Sequence, residues 1–166
     1  MLRNIATITS MIGRRPVGWY TGRPSINTRR LVTEIGGFLY DSDAYNDDLP
    51  YWTEIAGRRH LVVPHSFDAN DSRLQRGGDF STGEEFFSYC RDAFDWLYRM
   101  GTEGRPRMMT ISLHGRIIGR PGRIGALAKL LDHMQGHNGV WLCNRAAIAQ
   151  HWIAHHSDRP PASRSK

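Results

Sequence analysis

The sequence predicts an α/β fold in which about five parallel strands alternate with helices. Short runs that read as strands recur along the chain, Val17-Gly18-Trp19-Tyr20, Phe38-Leu39-Tyr40, His60-Leu61-Val62-Val63-Pro64, Met108 to Leu113 and Val140-Trp141-Leu142-Cys143, the third of them continuously apolar as a strand buried on both faces should be. Stretches with apolar residues at helical spacing lie between them. The connections also leave room for the right-handed crossover of about a dozen residues that parallel neighbours require. On these grounds alone the pattern fits a small open sheet or part of a barrel.

In order, Leu2, Ile5, Ile8, Met11 and Ile12 predict an opening helix that Gly13-Arg14-Arg15-Pro16 stops. After the first strand, Thr21 to Ser25 is a turn-rich loop, and Ser25 or Asn27 can cap a helix carrying Leu31, Val32 and Ile35 that ends at Gly36-Gly37. The second strand opens into the acidic segment Asp41 to Asp48. That segment lacks the glycine and glutamate of an EF-hand loop, so calcium is rejected. Leu49 to Arg59 reads as irregular, an aromatic loop around Pro50-Tyr51-Trp52. Ser66 to Gly78 is a long loop of the kind that closes over a site. Ser81 to Glu85 offers overlapping capping boxes for a helix whose stripe of Phe86, Phe87, Cys90, Phe94 and Leu97 belongs to the core. Pro121 opens the helix after the fourth strand, and Asn144 caps the last one.

Composition narrows the class. With 166 residues, 40% apolar and 23% charged, the chain can form one domain over residues 1–156, followed by a disordered tail at 157–166. No run approaches the roughly 20 apolar residues of a membrane span, and no cleavage site follows the first residues, so the expectation is a cytoplasmic protein without membrane contact. The net charge is +6, but its 22 basic residues are scattered rather than gathered on an arm or helix, which argues against nucleic acid. Cys90 and Cys143 read as buried free thiols. His133/His137 and His151/His155 have helical i, i+4 spacing but lie near helix carboxyl ends, where the dipole favours histidine, and neither reads as a metal site. No glycine-rich phosphate loop and no nucleophile elbow is present.

Ser112-Leu113-His114-Gly115-Arg116 carries the chemistry. His114 falls at the carboxyl end of a strand, the edge at which α/β folds gather their reactive groups. Packing or loop capping is the alternative role for that histidine.

Four blocks, Arg15 to Arg23, Gly36 to Asp43, Asp47 to Trp52 and Ser112 to Arg123, resemble in sequence and order the polysaccharide deacetylase superfamily, most closely its branch containing the deacetylase-type allantoinase. The resemblance extends to about His156. It implies a partial (β/α) barrel, the carboxyl-terminal portion of the domain, that hydrolyses amide-type C–N bonds other than peptide bonds. In the allantoinase branch a cyclic ureide is opened, allantoin to allantoate, a step of purine catabolism. A carbohydrate N-deacetylase or a non-catalytic partner subunit is the alternative.

Carried over by motif, His114 is the general acid towards the leaving nitrogen, and Asp41 orients the catalytic groups, with a cationic or imidazole neighbour expected beside it. Trp19, Tyr20, Arg23, Asp43 and Arg116 are the expected substrate-binding residues, the first two forming a flat wall suited to a ureide. The aspartates and the His-x-x-x-His that complete the family's metal site would precede residue 1, so no metal or other cofactor is expected on this chain. The expected partners are a small ureide or N-acetylated substrate and either a second copy of the chain or its missing amino-terminal half.

Overall fold

The computed structural model describes residues 1–157. All but the first residue of the expected tail lies outside them. Two compact units emerge, one made of Met1–His65 with the segment that begins at Cys143, the other of Ser66–Leu142.

The first unit holds α1 (Leu2–Ile12), β1 (Gly18–Trp19), α2 (Thr28–Ile35), β2 (Tyr40–Asp41), β3 (Tyr51–Ile55), β4 (Arg58–Val62) and, at its far end in sequence, α6 (Arg145–His155). Its sheet has the order β1-β2-β4-β3, with β1, β2 and β4 parallel and β3 antiparallel to β4. Trp19 stands opposite Asp41, and Asp41 opposite Val62, so the carboxyl end of β2 is flanked on both sides. Leu61, Val62 and Val63 are buried, in keeping with the apolar run. Asn144 caps α6 as its sequence predicts, its Oδ1 accepting from the N–H of Ala147 at 2.9 Å.

The stretch from Leu49 to Arg59 is not irregular. It is a hairpin with register Ile55 opposite Arg58, closed by Ala56 at φ 50° and Gly57 at φ 72°. Positive φ at both central residues is the twist that a two-residue hairpin turn requires. Alanine is an uncommon first residue for it, which hid the turn in the sequence.

The second unit contains a 3-10 turn (Asp71–Leu74), α3 (Gly83–Thr102), α4 (Gly115–Ile118) and α5 (Pro121–Gln135). The capping box forms as expected. Thr82 Oγ1 accepts from the N–H of Glu85, and the Glu85 carboxylate accepts from those of Ser81 and Thr82. The aromatic stripe of α3 is core: Phe86, Cys90 and Phe94 are buried with Leu130 and Met134 of α5 and with Ile117 and Ile118.

The expected fourth and fifth strands do not form ladders. Ser112 alone bridges to Asn70, in parallel, while Thr110 donates its N–H to the side chain of Ser66. Residues 140–143 carry no strand. The fold class stands, but the sheet has four strands, one of them antiparallel. Cys143 is exposed, not buried; Cys90 is buried, and its burial pushes the thiol up to about 12. Among the described residues no helix is long and apolar enough to cross a membrane.

Candidate functional site

In the second unit His114 sits at the N-cap of α4, and its ring is tied to Asp71. The Nδ1 atom lies 2.6 Å from Asp71 Oδ1, while Asp71 Oδ2 accepts the main-chain N–H groups of His114 at 2.7 Å and Ile118 at 3.2 Å. A carboxylate can only accept, so Nδ1 carries the hydrogen and Nε2 is left for exchange. Asp71 is fully buried, whereas the His114 side chain is 36% exposed. The carboxylate is itself held in place. Asn70 caps the turn through Ser72, and the Asp71 N–H and Ser112 carbonyl bond across the bridge at 3.0 Å. The arrangement is a charged anchor that fixes one imidazole tautomer and leaves its other edge open.

Asp41 has the neighbours the sequence called for, and two of them. Arg29, in the first turn of α2, reaches it with Nε at 2.7 Å and Nη2 at 3.1 Å, and His60 Nε2 approaches at 2.7 Å. Burial opposes ionisation of this carboxyl, but the hydrogen bonds and charges of His60 and Arg29 outweigh it and hold the group below the usual carboxylate range. The N–H of Asp43 also bonds to Asp41. Both carboxylates line a cleft of about 430 Å³ with Pro24, Ile26, Arg29 and Ile55.

The substrate-binding candidates take different positions. Asp43 accepts the main-chain N–H groups of Thr21 and Gly22, so it shapes the loop after β1. Trp19 Nε1 donates to Thr21 Oγ1, and its ring meets Phe38 edge-on. The Tyr20 hydroxyl lies 2.8 Å from that of Tyr45, and its ring sits 4.3 Å from that of His65. Arg23 and Arg116 are exposed.

Sequence reasoning missed three groups. Asp71 stands 43 positions from His114, in a loop rich in similar residues. Arg145, on α6, donates to Ser42 Oγ at 2.6 Å, to the Val63 carbonyl at 3.1 Å and to His65 Nδ1 at 2.7 Å. Burial and the Arg145 charge push His65 down to about 4, leaving it neutral at ordinary pH. Only the placement of Arg145 directly after the cap Asn144 could have pointed to the sheet end.

The residues around His114 and Asp41 do not fit the divalent ion that the family resemblance associates with deacetylases. The Asp41 oxygens are already taken by guanidinium, imidazole and N–H donors, and a cation there would meet Arg29. Among the described residues His114 belongs to no group of three ligating side chains, and its Nδ1 is engaged by Asp71.

No family model matches the chain. It is 44% identical over 155 residues to a Schizosaccharomyces pombe protein described as "Putative polysaccharide deacetylase", covering 85% of this chain and 48% of that one. The crystal structure of a probable polysaccharide deacetylase from Pseudomonas aeruginosa PAO1 superposes with a TM-score of 0.88 at 52% identity, covering 94% of this chain and 52% of the other. That of Puue allantoinase superposes at 0.90 with 50% identity over the same shares, 94% and 52%. The fold and these likenesses define an α/β chain of the deacetylase and allantoinase type. It belongs to the polysaccharide deacetylase-like superfamily and spans about half the length of the relatives it matches.

Proposed function

We propose that the protein is a hydrolase of amide-type C–N bonds whose substrate is a cyclic ureide, opened as allantoin is opened to allantoate. One observation carries the reading: a buried carboxylate grips Nδ1 of His114 and leaves Nε2 of a partly exposed ring as the proton-exchanging atom. In such a reaction water adds to the carbonyl carbon, the C–N bond breaks, the departing nitrogen takes a proton from Nε2 of the imidazolium, and the proton the water gives up restores that imidazolium. Asp71 acts as a positioning residue, holding the tautomer and the ring plane. Asp41, locked between Arg29 and His60, orients the end of β2. Within the first unit Trp19, Tyr20 and Arg23 are the substrate-binding candidates in this reading, with Asp43 shaping their loop, and within the second unit Arg116 is the candidate. The similarity to an allantoinase at 50% identity supports the ureide. Cytoplasmic work on a small molecule is part of the same proposal.

The test is allantoate formation from allantoin by the purified chain, with His114→Gln as control. The expected result is turnover that the substitution lowers by about 10²–10⁴-fold. Acetate release from an N-acetylated oligosaccharide without allantoate would move the assignment to the deacetylases. Turnover of neither substrate would make the chain a non-catalytic partner or one that needs a second polypeptide.

A further inference from the structure

We propose that Asp95, His133 and His137 form a binding site for a divalent transition ion of the Zn²⁺ class, joining α3 to the carboxyl end of α5. One ligand atom from each residue falls within 4.8 Å of the others, so the three could share an ion. Tetrahedral zinc with bonds to nitrogen and oxygen sets its donors roughly 3.3 Å apart, within reach of small side-chain rotations from this starting geometry.

The arrangement supplies more than proximity. His137 Nδ1 lies 2.7 Å from the main-chain carbonyl of His133, which can only accept. Nδ1 therefore carries the hydrogen and Nε2 presents its lone pair, the tautomer that metal-bound histidines usually owe to such a bond. The ring plane is held by Phe94 and Tyr98, which meet it edge-on at 5.1 and 4.7 Å. His133 Nε2 donates to Asp95 Oδ1 at 2.6 Å, so the carboxylate already meets the imidazole and an ion between them would displace that hydrogen. Beneath them the backbone is anchored, because Phe94 and Met134, the sequence neighbours of Asp95 and His133, are both buried.

The chemistry of the donors selects the ion. Two imidazole nitrogens and one carboxylate, completed by a water, are a donor set that suits Zn²⁺ and its first-row neighbours. Mg²⁺ and Ca²⁺ want oxygen throughout. The helical spacing that His133/His137 shares with His151/His155 is not sufficient. Among the described residues, no third ligand joins the latter pair. Asp95, 38 positions before His133, makes the difference.

The experiment uses the full chain stripped of metal. Calorimetric titration with Zn²⁺ should give one ion per chain, and Co²⁺ in its place should show the visible bands of tetrahedral coordination. Asp95→Asn and His137→Gln, whose side chains lie outside the core, should each weaken Zn²⁺ binding by about tenfold or more. His151→Gln with His155→Gln should leave it unchanged. The imidazole ¹⁵N signals of His133 and His137 in the unaltered chain should shift on adding Zn²⁺, a readout that needs no variant. Absence of stoichiometric binding, unshifted signals, or affinity that only the 151/155 substitutions reduce would overturn the proposal and leave Asp95 and His133 as an ordinary surface ion pair.

Discussion

Asp71 grips His114 at two points, its ring Nδ1 at 2.6 Å and its main-chain N–H at 2.7 Å, so one buried carboxylate sets both the position and the tautomer of the imidazole. Replacing it by asparagine keeps the volume but turns an amide N–H₂ towards donors. Asp71→Asn should cost about 1–3 kcal/mol of stability in urea denaturation, the usual penalty for buried donors left unpaired. If the proposed hydrolysis holds, the variant should also lose kcat by about 10²-fold or more with KM little changed, as befits a group acting through the ring rather than on substrate.

The Arg29–Asp41–His60 cluster gives a second expectation. The Asp41 side chain is 1% exposed, and removing its bidentate cation leaves a buried carboxylate with only part of its compensation. Arg29→Met should destabilise the chain by about 3 kcal/mol, and Arg29→Lys should recover only part of that because ammonium cannot reproduce the paired fork. Thermal unfolding followed by circular dichroism checks both.

His65 predicts a pH dependence with a definite sign. Its pKa falls from 6.5 to about 4 on folding, so between those values the unfolded chain binds more protons and stability rises with pH. The contribution is complete above pH 6.5, declines as pH falls, and is gone below about 4. His65→Gln should flatten the melting-temperature profile in that window. Asp41, whose pKa is lowered from 3.8, loses its contribution at still lower pH, so the two effects separate.

The hairpin between β3 and β4 stores a small strain, because Ala56 holds φ 50°. A left-handed alanine costs about 1–2 kcal/mol relative to a right-handed one, and asparagine tolerates that region better. Ala56→Asn should raise the unfolding midpoint in urea without altering the dependence on denaturant, for a gain of about 1 kcal/mol.

These residues also show what sequence alone discloses. Caps and breakers act within a turn of themselves, so Thr82 with Glu85, Asn144 and Pro121 could be read directly. That Asp41 would have a cationic or imidazole neighbour followed from the family resemblance, not from the residues beside it. The identity of its partners was another matter, for Arg29 and His60 arrive from a helix and a strand on either side in sequence. Asp71 was hidden by the same non-locality. The apolar runs around Ile111 and Leu142 looked like strands because apolar runs are the usual mark of buried strands, yet Trp141 and Leu142 are exposed. Ladder bonds depend on a neighbour that those runs do not find.

The first unit is assembled from both ends of the chain, whereas the second is one uninterrupted segment. A ribosome therefore releases everything that Ser66–Leu142 needs before it has made α6, and that segment can collapse early. Meanwhile Ser42 and His65 wait for Arg145, which is made only after the whole of the second unit.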